Sequence, residues 1–223
     1  MTQPMSEADI PTLQDVWNPR EDVLQGEIRD ESLAADAHEV AFGDDVPAVY
    51  DDAETFFDLT YPTSGVTGVI EAVAQRVIAH YRGEFPEENG TITLDTSFGG
   101  GKTHSQIAAY HLAEHSDEIP DLTRYTQNDE TAHEYRALEN NNSILTSVFV
   151  GTKYAPKPVK PRQVRQGEHT PEIQTIWGHI AYQLYGVEGY QVVSSGNNLV
   201  APGEQLLSNL FSLSDEAAVI IMD

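Results

Sequence analysis

The chain has 223 residues, 39% of them hydrophobic, which is enough to bury a core and excludes disorder by composition. It carries 36 acidic against 12 basic residues, a net charge of -24, and no cysteine. That excludes disulfides and cysteine metal centres, and it argues against nucleic-acid binding over the whole surface.

The acids are spread along the chain and lysine is scarce, occurring only as Lys102, Lys153, Lys157 and Lys160. Such a balance reads as adaptation to high salt, where carboxylates keep a surface hydrated and their repulsion is screened. An acidic protein seeking basic partners is the other reading. The N-terminus, Met1-Thr2-Gln3-Pro4, is polar and has no signal-peptide pattern, and no window approaches a membrane span. With no cysteine, this suits a cytoplasmic protein that makes no membrane contact. The length suits a core domain at 63–223 preceded by an N-terminal extension at 1–62.

Residues 1–9 are polar. Trp17 precedes Asn18-Pro19-Arg20, where proline stops any helix; the tryptophan is either an anchor for this arm or an ordinary half-buried side chain. Residues 30–40 predict a short helix with Asp30 as N-cap, Leu33, Ala34, Ala37 and Val40 at helical spacing, and Gly43 beyond its end. Phe56 and Phe57 precede Thr60-Tyr61-Pro62-Thr63. An amphipathic helix over 64–81 follows, with Val66, Val69, Ile70, Val73, Val77 and Ile78 as its buried stripe. Residues 83–90 are rich in turn formers.

Thr91-Ile92-Thr93-Leu94-Asp95 reads as a strand and runs into Thr96-Ser97-Phe98-Gly99-Gly100-Gly101-Lys102-Thr103. A helical pattern begins at His104. Strand, glycine-rich loop and helix form the context in which Gly-Lys-Thr binds phosphate. Glycines let backbone N–H groups converge on an anion, and the helix start adds unpaired donors and a positive dipole end. Ser97, Phe98, Gly99, Gly100, Gly101, Lys102, Thr103 and His104 are therefore the candidate nucleotide-binding residues. Lys102 is placed to reach the terminal phosphates, and Thr103 to ligate Mg2+. The usual G-x-x-x-x-G-K-[ST] spacing puts its first glycine at Thr96, a departure from the pattern. A glycine-rich turn that merely caps a helix is the competing explanation.

The helix after the loop turns Ile107, Ala108 and Leu112 inward. His104, His111 and His115 are spaced to share one face, either as a metal pair at 111 and 115 or as a solvated face. Residues 117–142 are polar, with a weak helix signal at 132–138, and read as an insertion or exposed connection. Residues 143–150 are a dense β-type run. The proline-rich loop 152–165 holds Lys153, Lys157, Lys160, Arg162 and Arg165, five of the 12 cations, and no acid. It suits contact with phosphate groups of nucleic acid or nucleotide, or with an acidic neighbouring subunit in a homo-oligomer; it suits equally a loop that neutralises nearby carboxylates.

Thr170 and Pro171 predict the start of a helix over 170–185, with Ile173, Ile176, Trp177, Ile180 and Leu184 inward and Gly186 at its end. Loop or short strand is expected at 189–198, then a helix over 202–213 with Leu206, Leu207 and Leu210 inward. The final run, Ala217-Ala218-Val219-Ile220-Ile221-Met222-Asp223, reads as a buried strand presenting an aspartate to the phosphate loop, where it would help position Mg2+. A terminal strand whose last residue happens to be acidic is the bland alternative. A central catalytic strand at the end of a sequence predicts the front portion of a longer protein, with the position of the water-polarising glutamate after Asp223 outside it.

Several segments taken in order resemble a known family. They are Trp17-Asn18-Pro19-Arg20 with Asp22-Val23, Phe56-Phe57 with Thr60-Tyr61-Pro62-Thr63, and 94–104 (Leu-Asp-Thr-Ser-Phe-Gly-Gly-Gly-Lys-Thr-His). Phe149-Val150-Gly151-Thr152, Ile176-Trp177-Gly178 with Ala181-Tyr182-Gln183-Leu184, and Pro202-Gly203 continue the series. The pattern resembles the N-terminal part of the DUF499 family of large AAA+-type ATPases, and the composition resembles a haloarchaeal member. The resemblance implies ATP and Mg2+ as ligands, Lys102 and Thr103 as phosphate and metal residues, and Asp223 as the Walker B aspartate, with Lys102 and Asp223 as the catalytic pair. It further implies a place in DNA-modification or anti-phage systems. The expected fold is α/β: a three-layer P-loop NTPase (AAA+/ASCE-like) whose parallel sheet includes strands near 91–95, 144–150 and 217–222. The expected function is Mg-dependent ATP hydrolysis in the complete protein. The alternative is a nucleotide-gated signalling or scaffold module that binds ATP without turnover.

Overall fold

A computed structural model describes residues 24, 35–44, 46–84, 90–95, 101–140, 142–153, 171–194 and 201–223. The chain divides into two units, Met1–Ala34 and Ala35–Asp223. Of the first, only Leu24 is described, and its side chain is exposed. Trp17, Arg20, the expected cap Asp30, loop positions 96–100, the basic loop from 154 to 165 and Thr170 lie outside the described residues.

The second unit runs α1 (Ala37–Phe42), α2 (Ala48–Asp51), α3 (Ala53–Leu59), α4 (Ser64–Arg82), α5 (Lys102–Glu114), α6 (Asp129–Glu139), β1 (Ile144–Phe149), α7 (Ile176–Ser194), α8 (Glu204–Phe211) and β2 (Ala217–Met222). Two 3-10 turns, Ser116–Glu118 and Leu122–Tyr125, join α5 to α6. The architecture is mixed α/β. Among the described residues the sheet has two strands, β1 and β2, paired in parallel with Ile144 opposite Ala217 and Phe149 opposite Met222.

The long helix α4 is the centre of the core. Thr63 caps its start by accepting from the Val66 N–H, and Gly83 ends it in the left-handed conformation. Val66, Val69, Ile70, Val73, Val77 and Ile78 are all buried, as their spacing predicts. Ile107, Ala108 and Leu112 of α5 are fully buried against the same cluster. That cluster also takes Ala37, Val40, Phe56 and Phe57 from α1 and α3, Val148 from β1, and Ala217 and Ile221 from β2. Residues 35–59 thus share one core with the sheet.

Several elements differ from the sequence reading. Of the helix expected over 30–40, the described part begins at Ala37, because Asp36 is extended and its carboxylate accepts from the His38 and Glu39 N–H groups. The stretch 117–142, expected as an insertion or exposed connection, sends Ile119, Leu122, Tyr125, Ala132 and Tyr135 into the core. Its tyrosines can be buried because their hydroxyls donate to carbonyls, Tyr125 to Phe57 and Thr60, and Tyr135 to Leu112. The helix expected from Thr170 starts at Ile176, where the Thr175 hydroxyl accepts from the Gly178 N–H. It stops at Gly186, as the sequence predicts. That glycine takes φ 64, ψ -145, a conformation that L side chains resist, and a second helical stretch continues to Ser194. In α8 only Leu210 is buried, whereas Leu207 and Phe211 are exposed.

Thr91–Asp95, expected as the third strand, forms no ladder in the described residues. Its burial alternates in the manner of a strand, with Ile92 and Leu94 packed on the core and Thr91, Thr93 and Asp95 exposed. Alternation directs side chains, but a ladder needs a neighbouring backbone at hydrogen-bonding distance, and neither β1 nor β2 supplies one.

The outer edges of β1 and β2 are met by glutamine amides. Gln183 of α7 accepts from the Val148 N–H at 2.8 Å through Oε1 and donates to the Val148 carbonyl at 3.0 Å through Nε2. The Ser147 hydroxyl adds a third bond to the same Oε1 at 2.8 Å. The amide occupies the place of a neighbouring peptide. On β2, Gln106 of α5 donates to the Met222 carbonyl at 2.9 Å. At the opposite end of the ladder the Tyr81 hydroxyl bridges the strands, accepting from the Ala217 N–H and donating to the Ser143 carbonyl. Gln183→Leu removes these three bonds and is expected to cost about 2 kcal/mol, measured by urea denaturation.

Candidate functional site

The site is built where α5 begins and β2 ends. Gly101 precedes α5 with φ 76 and ψ 22, a left-handed conformation in which a Cβ would be strained. Its carbonyl accepts from the Ser105 N–H at 2.9 Å, which closes the first helical turn. Lys102, Thr103 and His104 form that turn, and their side chains are half-buried. The first N–H groups of any α-helix have no intrahelical acceptor, and the dipole adds partial positive charge at the same end.

Thr103 and Asp223 come together although 120 residues separate them: the threonine hydroxyl donates to Asp223 Oδ2 at 3.1 Å. Asp223 is held by its backbone. Its N–H donates to the Phe149 carbonyl and its own carbonyl accepts from the Gly151 N–H, each at 2.9 Å, so the parallel pairing continues one residue past β2. Gln106 stands three residues after Thr103 on one helical face and holds the adjacent Met222 carbonyl. Helix start and strand end are therefore joined through two consecutive residues of the strand.

His104 turns to a different set of partners. Its Nε2 lies 2.9 Å from the Thr60 hydroxyl, whose own hydrogen goes to the Phe56 carbonyl at 2.7 Å. The histidine is thus the donor and carries its proton on Nε2. Its ring packs on Phe56 with centroids 4.6 Å apart, and burial pushes its pKa below the ordinary histidine value. His111 is fully buried and donates from Nε2 to the Tyr50 carbonyl at 2.8 Å. Burial lowers its pKa to about 4, and the neighbouring His115, at a ring separation of 5.7 Å, pushes the same way. With Nε2 given to a carbonyl, His111 offers only Nδ1 to any ligand. Among the described residues, no group of three or more His, Cys, Asp or Glu is placed to hold a metal ion.

Of the basic loop, Lys153 is described. It pairs with Asp36 at 2.8 Å and with Glu39 at 3.3 Å. Burial alone would raise the Asp36 carboxyl, but Lys153 and the two backbone donors outweigh it and hold the group below its ordinary value. This lysine neutralises carboxylates at the start of α1. The remaining cations, Lys157, Lys160, Arg162 and Arg165, lie outside the described residues, as do Ser97, Phe98, Gly99 and Gly100. No helix among the described residues is long and apolar enough to cross a membrane.

Sequence reasoning singled out Gly101, Lys102, Thr103 and Asp223, and the structure brings Thr103 and Asp223 into contact. It missed Gln106 and the pairing of Thr60 with His104. The interval of three residues from Thr103 was a signal for Gln106, whereas a contact between residues 44 apart left none for Thr60.

No curated protein and no solved structure matches the chain. The model of the DUF499 N-terminal domain matches residues 13–223, nearly the whole sequence, and the chain belongs to that family.

Proposed function

We propose that this chain is the nucleotide-binding part of a P-loop ATPase of the three-layer AAA+/ASCE-like type, binding ATP with Mg2+ and serving its hydrolysis. The Thr103–Asp223 contact carries the reading, because it joins the residue after the loop lysine to an aspartate at the end of a strand paired in parallel with β1, one whose burial alternates and leaves Ile220 and Met222 exposed. In this scheme Lys102 sets its ammonium against the terminal phosphates, and the start of α5 adds N–H donors and its dipole. Thr103 and Asp223 offer a hydroxyl and a carboxylate, the hard oxygen donors that Mg2+ prefers. Adjacent ligand oxygens around an octahedral ion with bonds of about 2.1 Å lie roughly 3 Å apart. The observed 3.1 Å is compatible with both oxygens serving one ion. Thr103 and Asp223 would hold the ion, which would supply charge stabilisation to the phosphates.

The Gly101 conformation supports the same scheme, since it lets the backbone approach an anion closely at the point where the helix begins. Calorimetric titration with ATP and Mg2+ at high salt tests the assignment. Lys102→Ala is expected to weaken binding at least about tenfold, the loss of one charge-assisted contact. Equal binding by wild type and variant would sink it.

A further inference from the structure

Tyr61 is 80% exposed, more than any other large hydrophobic side chain among the described residues. Leaving such a ring in water forgoes the stabilisation its burial would bring. The backbone that carries it is firmly held. Thr60, one residue before, is buried, and its carbonyl accepts from the Tyr125 hydroxyl at 2.9 Å. The Tyr61 carbonyl accepts from the Thr63 N–H at 2.8 Å, and Thr63 in turn caps α4. Pro62 fixes its own φ between them. A ring presented to solvent from a strap tied on both sides is preorganised for a partner.

The strap is tied to the candidate phosphate site. The Thr60 hydroxyl contacts His104, which follows Thr103 directly in the first turn of α5. Tyr61 is one Cα step, about 3.8 Å, beyond Thr60. The chain's charge decides what such a ring is for. At -24 the protein repels a polyphosphate, and the helix start with Lys102 must offset that repulsion. Contact with an uncharged, flat part of the ligand adds affinity that neither the repulsion nor salt screening touches.

We propose that Tyr61 is the stacking platform for the base of the nucleotide whose phosphates are held at Gly101–Thr103. The inference rests on the nucleotide reading above and adds the base contact to it. Base–aromatic stacking is worth about 1–3 kcal/mol, so losing the ring is expected to weaken ATP binding about tenfold.

The test titrates wild type, Tyr61→Phe and Tyr61→Ala with ATP and with inorganic tripolyphosphate, each with Mg2+ at high salt. The expected result is that Tyr61→Ala loses ATP affinity and keeps its tripolyphosphate affinity, and that Tyr61→Phe keeps both. Three results overturn it: ATP binding by Tyr61→Ala equal to wild type, parallel loss of both ligands in Tyr61→Ala, or equal affinity of wild type for the two ligands. Wild type binding neither ligand would bring down the nucleotide reading, and the base contact with it. Binding of tripolyphosphate without any gain from the base would leave the phosphate site standing and remove only the role of Tyr61.

Discussion

Glu71→Ala is expected to cost about 4 kcal/mol of folding stability, read as a lower urea midpoint at an unchanged slope. Glu71 is only 6% exposed and sits among the apolar residues of α4. Its Oε1 accepts from Gln75 Nε2 at 2.7 Å and from the Thr131 hydroxyl at 2.8 Å, and its Oε2 accepts from the Gln127 N–H at 2.8 Å. A buried carboxylate is tolerated when its lone pairs are so filled, and it ties α4 to the start of α6. Truncation strands three donors in a site with little water. Glu71→Gln separates the shape of the group from its charge. If the new amide oxygen takes the place of Oε1, the amide nitrogen faces the Gln127 N–H, so one donor is left against another. An intermediate loss, about 1–2 kcal/mol, is expected. Equal losses in the two variants would mean that the carboxylate matters through its charge and not through its acceptors.

The second large effect is on acid stability. His111 has a pKa of about 4 in the folded chain, against 6.5 for an unburied histidine, because burial disfavours its charged form. Above pH 6.5 the ring is neutral folded or unfolded, and there is no effect. Between 6.5 and about 4 the unfolded chain takes up a proton that the folded chain refuses, so stability falls with pH, and below 4 the loss levels off. The full window is worth about 3 kcal/mol. Other groups titrate in the same range, and protonating the many carboxylates relieves repulsion in a chain of charge -24. The comparison with His111→Gln isolates the histidine, since glutamine keeps a donor for the Tyr50 carbonyl and does not titrate. Urea denaturation from pH 7 to 4 should show wild type losing about 3 kcal/mol more than the variant. Parallel profiles would show that the ring is protonated in the folded state as easily as in water.

The residues of the candidate site were legible in the sequence where chemistry demanded unusual types at fixed spacing. Gly101, Lys102 and Thr103 announce themselves between an extended run and a helix, and Asp223 stands out at the end of an apolar run. The core helices were legible because six apolar positions of α4 fall on one face and are all buried. Elsewhere the deciding partner is distant. The alternation of 91–95 is present in burial, but a ladder depends on another segment's backbone. Burial of Tyr125 and Tyr135 depends on carbonyls of Phe57, Thr60 and Leu112, so a polar stretch became core. Gly186 was legible as a stop because glycine usually ends helices, but nothing local announced that a second helical stretch follows it to Ser194. Leu207 and Phe211 repeat at helical spacing yet remain exposed, for which the structure offers no physical account.

The contact between Thr103 and Asp223 has a kinetic side. It spans 120 residues, and the strand that carries Asp223 pairs in parallel with one far upstream. Contacts of such separation carry the entropy of closing a long loop before they return any energy, which places them late in folding. The helices can form from local sequence, but the two oxygens cannot meet until β2 has docked. Partially folded chains with most of their helix content would then lack the assembled pair. Metal-dependent ligand binding would report completed chain closure more faithfully than a helical spectroscopic signal, and refolding followed by both should show the helix signal leading.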